Sequence, residues 1–181
     1  MGGPDNNPLE QLLDYDRRGK QYIVDLTDDE QKVEYWRGVV FRVESSHFAL
    51  EEFEVTELLY IPAAASIPGT KRWVKGMANV RGELLPLIDF NDFLFQKPLE
   101  DSKSSRVLVV NSGDVRSGLM VDQVFGIRRF IKNTLQETLP DELPAPIKMA
   151  VNGFYKEDEQ VIAVLSVRKL VEETEFMQAA A

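Results

Sequence analysis

The sequence predicts a mainly β fold, built as small barrels or a sandwich. Three observations carry that prediction. Short runs repeat with the period of two that turns alternate residues to opposite faces of a strand, as in Val39, Phe41 and Val43 against Val40 and Arg42. Turn-forming residues punctuate these runs at short intervals, at Glu44-Ser45-Ser46, Ile67-Pro68-Gly69, Arg81-Gly82 and Asn111-Ser112-Gly113-Asp114. Helical spacing is confined to the two ends of the chain and short stretches within it. Many short strands with little helix between them argue against a helical bundle or a doubly wound parallel sheet.

The elements follow in chain order. Residues 1–8 are polar with Gly and Pro and predict a mobile start. Leu9, Leu12 and Leu13 recur at helical spacing, and Gly19 weakens or ends that helix. Thr27 and Glu30 match a capping box, so a second short helix is expected through Val33 toward Trp36. Residues 1–35 are therefore expected to be a flexible or helical extension, an arm that packs on the rest in preference to a partner-binding helix. Strands are expected at 38–43 and 47–50. Phe53, Val55, Leu58 and Leu59 then alternate with glutamates, and an Ala-rich loop lies between Ile61-Pro62 and Ile67-Pro68-Gly69.

Residues 73–95 are the centre of the chain. They read as strand, tight turn, strand, with Gly82 supplying the positive φ of the turn and Arg81 projecting into solvent. Pro86 has no N–H for a ladder, which predicts an edge strand or a bulge. Asp89 is expected to cap one short helical turn carrying Phe90, Phe93 and Leu94. Residues 96–105 predict a surface loop, 106–110 a strand, and 117–127 a strand pair bent at Gly126 and followed by Arg128-Arg129. One helical turn is expected within 133–141, and extended backbone around Pro140, Pro144 and Pro146. Strands at 151–155 and 161–167 flank a charged turn at 156–159. Ser166 is expected to cap a last helix with Leu170, Val171 and Phe176 as its apolar stripe, before a fraying tail.

Composition narrows the function. The chain of 181 residues is 44% hydrophobic and 28% charged, as in an ordinary globular protein, and it has no cysteine, hence no disulfide and no thiolate chemistry. No apolar run approaches the roughly 20 residues of a membrane span. The first residues lack the basic flank and apolar core of a signal peptide, and Asn6 stands where a myristoylation signal needs Ser or Thr. A cytoplasmic protein without direct membrane insertion is the expectation. A net charge of −9 weighs against nucleic acid, since a phosphate-tracking surface needs clustered Lys and Arg. His47 is the only histidine, and no phosphate loop or nucleophile elbow is present. Asp89, Asp92 and Asp122 are the acidic candidates; Asp89 reads better as a cap, Asp122 as a turn-facing or partner-facing carboxylate. No catalytic residue, metal or cofactor is expected.

Gly76, Asn79, Val80, Arg81, Gly82, Glu83, Leu84, Leu85, Pro86, Leu87, Ile88 and Asp89 stand in a pattern that resembles the signature of CheW-like domains, the bacterial chemosensory coupling proteins. A second segment agrees: residues 117–127 resemble the family's Gly-Leu-x-Val-Asp-x-Val-x-Gly-Val, and Val55-Thr56-Glu57-Leu58-Leu59 its Val-x-Glu-Val stretch. Residues 12–18 and 151–155, with Phe176, are further similar to the family member of the system governing type IV pili and twitching motility. One departure is Ala163-Val164-Leu165, where that subtype carries an aromatic-rich segment.

The resemblance implies two packed five-stranded SH3-like barrels with a C-terminal helix, spanning residues 36–173, with a tail at 174–181. It implies a non-enzymatic adaptor that couples a methyl-accepting chemotaxis receptor to the regulatory domain of a CheA-like histidine kinase, recruited to receptor arrays at the inner membrane. By matching motif positions, Val55, Asn79, Arg81, Gly82 and Val124 fall on the partner-binding surfaces. Arg81 also suits the role physically, because a planar five-donor guanidinium at a hairpin end can orient a partner's carboxylate or carbonyls. The alternative is an SH3- or OB-like module for another peptide or a single-stranded nucleic acid.

Overall fold

The computed structural model describes residues 33–138, 143, 145–173 and 176; the helix expected from Leu9, most of the one expected from Thr27, the backbone at Pro140 and Pro144 and the tail from 177 onward lie outside them. Where that second helix was expected to run on through Val33 toward Trp36, Val33 and Glu34 are not helical and Tyr35 and Trp36 already belong to a strand. The chain divides into two units, Met1–Glu34 and Tyr35–Ala181, and every element below belongs to the second. In order these are β1 (Tyr35–Val43), β2 (Ser46–Glu51), a 3-10 turn (Glu52–Glu54), β3 (Val55–Leu59), β4 (Ala64–Ala65), β5 (Val74–Val80), β6 (Glu83–Asp89), α1 (Phe90–Phe95), β7 (Arg106–Ser112), β8 (Val115–Val121) and β9 (Gln123–Ile131). Two 3-10 segments (Lys132–Thr134 and Ala145–Ala150), β10 (Val151–Glu157), β11 (Gln160–Leu165) and α2 (Val167–Glu172) complete the unit.

The strands form two sheets, β10-β11-β2-β1-β9 and β3-β7-β8-β6-β5-β4. The first closes on itself. Its outer strands β9 and β10 meet where Phe130 stacks on Tyr155 with ring centroids 4.5 Å apart, and where Arg128 Nη1 lies 2.8 Å from Glu157 Oε2. Trp36 packs against both rings, over Val40, Ala49, Ile162 and Val164 inside this barrel. Ala78, Leu85, Leu87, Val107 and Val109 fill the second sheet's interior. The strict alternation of β1 and β7 then makes a third layer between the sheets. Val39, Phe41 and Val43 from β1 meet Leu108 and Val110 from β7, Leu119 and Val121 from β8, and Phe90, Phe93 and Leu94 from α1. The helical stripe Leu170, Val171 and Phe176 closes the same layer. Both helices carry their expected caps. Asp89 accepts from Asp92 N at 3.0 Å, and Ser166 Oγ accepts from Lys169 N at 3.4 Å.

Several expectations are corrected. The second sheet has six strands, because Ala64–Ala65, read as loop, pairs with Met77 and Ala78 of β5. The strand carrying Pro86 is interior to its sheet. Pro86 is tolerated because β6 pairs with β8 only from Leu87 to Asp89, so no second neighbour awaits its missing N–H; the nearby bulge lies in β5, between Val74 and Gly76. The segment 117–127 is not one bent pair. The chain crosses from the second sheet to the first at Asp122, Gly126 (φ 92°) sits at a bulge within β9, and Arg128-Arg129 lie inside that strand. Pro146 falls in a 3-10 segment rather than extended chain. The helical turn expected within 133–141 is the 3-10 segment Lys132–Thr134.

The three acidic candidates are consumed by the fold. Asp89 is fully buried and, besides its cap, accepts from Leu99 N at 3.0 Å and pairs with Lys75 Nζ at 3.1 Å. Asp92 holds the Arg72 guanidinium. Asp122 Oδ2 accepts from Glu44 N at 2.5 Å and from Asn91 Nδ2 at 3.0 Å, pinning the crossover.

Candidate functional site

Two barrels packed through one layer leave a groove where their walls diverge. Here the groove encloses about 400 Å³ and is walled by β3 of the second sheet and β9 of the first. Val55 and Val124, both half-buried and packed on the inter-barrel core, form its apolar floor with Val39. Leu58 and Ile127, each 52% exposed, stand on its two walls. Of the sequence-predicted residues the groove therefore brings Val55 and Val124 together.

Asn79, Arg81 and Gly82 are elsewhere, at the β5–β6 turn. Arg81 (φ 52°) and Gly82 (φ 88°) both occupy the left-handed region, the conformation of a two-residue hairpin turn whose twist suits its strands. Asn79 is part of that turn, since its Oδ1 accepts from Gly82 N at 2.9 Å. The Arg81 side chain is 77% exposed, and Leu84 beside it on β6 is exposed as well.

Glu57 joins the two halves of the site. It lines the groove from β3, and its Oε1 lies 3.4 Å from Arg81 Nη1 and 3.5 Å from Arg116 Nη2. Arg116 also pairs with Glu83 at the base of the hairpin. The other oxygen, Glu57 Oε2, is buried and lacks a hydrogen-bond partner among the described residues. Glu57 and Leu58 lie in the Val55–Leu59 stretch that resembles the family's pattern, and Ile127 ends the second such segment, but the sequence did not single them out as partner-binding residues. The signal for Leu58 was a second leucine beside Leu59 in a strand that otherwise alternates, because adjacent strand residues face opposite ways and only one can enter the barrel.

The geometry offers an apolar floor, a carboxylate and a guanidinium, and no catalytic constellation among the described residues. His47 stacks on Phe125 with centroids 5.4 Å apart. Burial, and then the Arg42 and Arg128 guanidiniums, hold its imidazole below the ordinary 6.5. A lowered folded value means that protonation opposes folding, so this contribution is absent above pH 6.5 and erodes stability as pH falls through the interval below it. As the single histidine, His47 gives one imidazole signal in an NMR titration. Its midpoint is expected below 6.5, and His47→Gln should flatten the acid limb of stability; a midpoint at or above 6.5 contradicts the packing described.

The sequence profile of the CheW-like domain matches residues 37–175. This chain belongs to the CheW-like domain family. Among curated relatives, protein PilI of Pseudomonas aeruginosa is 38% identical over 173 residues, covering 96% of both chains. The chemotaxis protein CheW of Thermotoga maritima is 25% identical over 138 residues, 76% of this chain and 82% of that one. Among solved structures, the scaffolding protein TtCheW from Thermoanaerobacter tengcongensis superposes with a TM-score of 0.68 at 25% identity, covering 78% of this chain and 95% of that one. The chain is thus a CheW-like, non-enzymatic scaffold of chemotaxis-type signalling. No helix among the described residues is long and apolar enough to cross a membrane.

Proposed function

We infer that this CheW-like domain couples a methyl-accepting receptor to a CheA-like histidine kinase. The groove takes the helical tip of the receptor, and the hairpin end with neighbouring barrel ends takes the kinase's regulatory domain, recruiting both to an array at the inner membrane. The observation that carries this reading is the connection through Glu57, one side chain lining an apolar groove while pairing with the arginine of a separate exposed turn. An apolar groove with half-exposed Leu58 and Ile127 on its rims suits an amphipathic helix, whose anchors recur at i, i+3 and i+4. The likeness to PilI along nearly the whole chain supports a place in the system controlling type IV pili and twitching motility. The alternative of a nucleic-acid module finds little support in a net charge of −9.

The test is titration of the full chain with a soluble receptor fragment carrying the hairpin tip and, separately, with the kinase regulatory domain. Leu58→Asp puts a charge on the groove wall without touching the core. It is expected to weaken receptor binding about tenfold, the loss of roughly 1.4 kcal/mol, while kinase binding and thermal unfolding stay as in wild type. Unchanged receptor affinity, or equal loss toward both partners, would refute the division of surfaces.

A further inference from the structure

We propose that the groove continues along the β1–β9 ribbon into a charged step, the cross-strand pair Arg37 and Arg129, which receives an acidic side chain of the docked helix. This rests on the groove reading above and adds the charge pattern of the segment that docks. Three cross-strand pairs lie in succession on the ribbon face that looks toward the second barrel: Val39 with Ile127, Arg37 with Arg129, and Tyr35 with Ile131. The first belongs to the groove. Beyond it the face is solvent-exposed, with Tyr35 at 51% and Ile131 at 39%.

Two guanidiniums directly opposite on one face repel, and such a pair destabilises a sheet. Only one is neutralised. Arg37 pairs with Glu52, with Nε 2.8 Å from Oε2 and Nη2 3.0 Å from Oε1. Arg129 rests over the Tyr35 ring, 5.5 Å from its centroid, and has no carboxylate partner among the described residues. The Tyr35 ring gives this second cation only a weak, exposed contact and leaves its charge uncompensated, on a chain whose net charge is −9. A carboxylate from outside would complete the row.

The spacing fits a helix. Successive same-face pairs on a ribbon are about 6.7 Å apart, and helix residues four apart are separated by about 6 Å. A helix lying along the ribbon with an apolar residue at Ile127 and Leu58 therefore brings its fourth residue onward over the arginines. The eighth comes over Tyr35 and Ile131. The partner's docking face is apolar, acidic, apolar at intervals of four.

The experiment uses the full chain and the soluble receptor fragment. Arg129→Glu is expected to weaken binding at least tenfold, and Arg129→Gln to lower the salt dependence of the affinity. The melting temperature of Arg129→Glu should equal or exceed that of wild type, since the new carboxylate faces Arg37. Reversal to lysine of the matching acidic receptor residue should restore binding to Arg129→Glu. If Arg129→Glu binds like wild type while Leu58→Asp does not, the groove stands and the acidic step falls. If both bind like wild type, the groove reading falls and this inference with it. A marked loss of melting temperature in Arg129→Glu would make the arginine structural and also overturn the proposal.

Discussion

Gly76→Ala is expected to lower the melting temperature by roughly 10 °C, a loss of several kcal/mol for one methyl group. Gly76 holds φ at 131°, a backbone conformation that side-chain-bearing residues rarely adopt. A methyl group there would also overlap the carbonyl of Ala65, which β4 lays directly against the strand. Left-handed strain costs about 1–3 kcal/mol, and forced displacement of packed backbone another 1–3 kcal/mol. In a domain of this size each kcal/mol moves the midpoint by about 2–4 °C. Gly82→Ala is the internal comparison. Gly82 also has positive φ, 88°, but a methyl there meets nothing within 4 Å, so only the strain term applies and the shift should be a few degrees. Thermal unfolding of the two variants separates the contributions. Equal shifts would mean that the approach of Ala65 places no demand on Gly76.

The contrast between these glycines marks what was legible in the sequence. The positive φ at Gly82 could be read from two strands meeting at Arg81-Gly82. The demand at Gly76 could not, because it is imposed by Ala64–Ala65, a strand of two small residues with no alternation to reveal it. The long strands were legible because each has one face in a core. Val39, Phe41, Val43, Leu108, Val110, Leu119 and Val121 are all buried. The parallel pairings of β6 with β8 and β11 with β2 were not legible. They join distant parts of the chain, and nothing in the local pattern of either strand names its neighbour. Pro146 misled for a related reason: proline's fixed φ suits extended chain and the first turn of a helix alike.

The site divides in the same way. The motif drew attention to Asn79, Arg81 and Gly82, yet Asn79 is a turn clasp in the structure, its amide oxygen satisfying Gly82 N. The groove depends on which strands of two separate sheets come side by side. Val55 and Val124 were found only through the family's pattern; Leu58 and Ile127 lie in the same two segments, but nothing in their local sequence sets them apart from ordinary strand aliphatics. Glu57 stood out as the glutamate of the family's Val-x-Glu-Val stretch, but its role did not; only the fold shows that it alone among Glu51, Glu52, Glu54 and Glu57 sits within reach of Arg81.

Arg81→Ala should leave both barrels folded and weaken partner binding by about thirtyfold or more. The side chain is 77% exposed and its ion pair to Glu57 spans 3.4 Å; such pairs contribute about 0–1 kcal/mol, and removal opens no cavity. The backbone of residue 81 at φ 52° is the remaining concern, and Arg81→Asn controls for it, because asparagine tolerates that region better than alanine. A docked partner would cover this turn and exclude water from the guanidinium. A guanidinium desolvated against a partner's carboxylate or carbonyls costs roughly 2–5 kcal/mol when truncated, and each 1.4 kcal/mol is tenfold in affinity. Glu57→Gln tests the link between turn and groove: it removes the charge that holds Arg81 and Arg116 while keeping the side chain's size, so it should weaken binding less than Arg81→Ala does. Unfolding and titration with the kinase regulatory domain and the receptor fragment, run on all three variants, give the result. Wild-type affinity for both partners in Arg81→Ala would make the arginine a solvated turn residue. Unfolding of Arg81→Ala together with Arg81→Asn would make it a structural one.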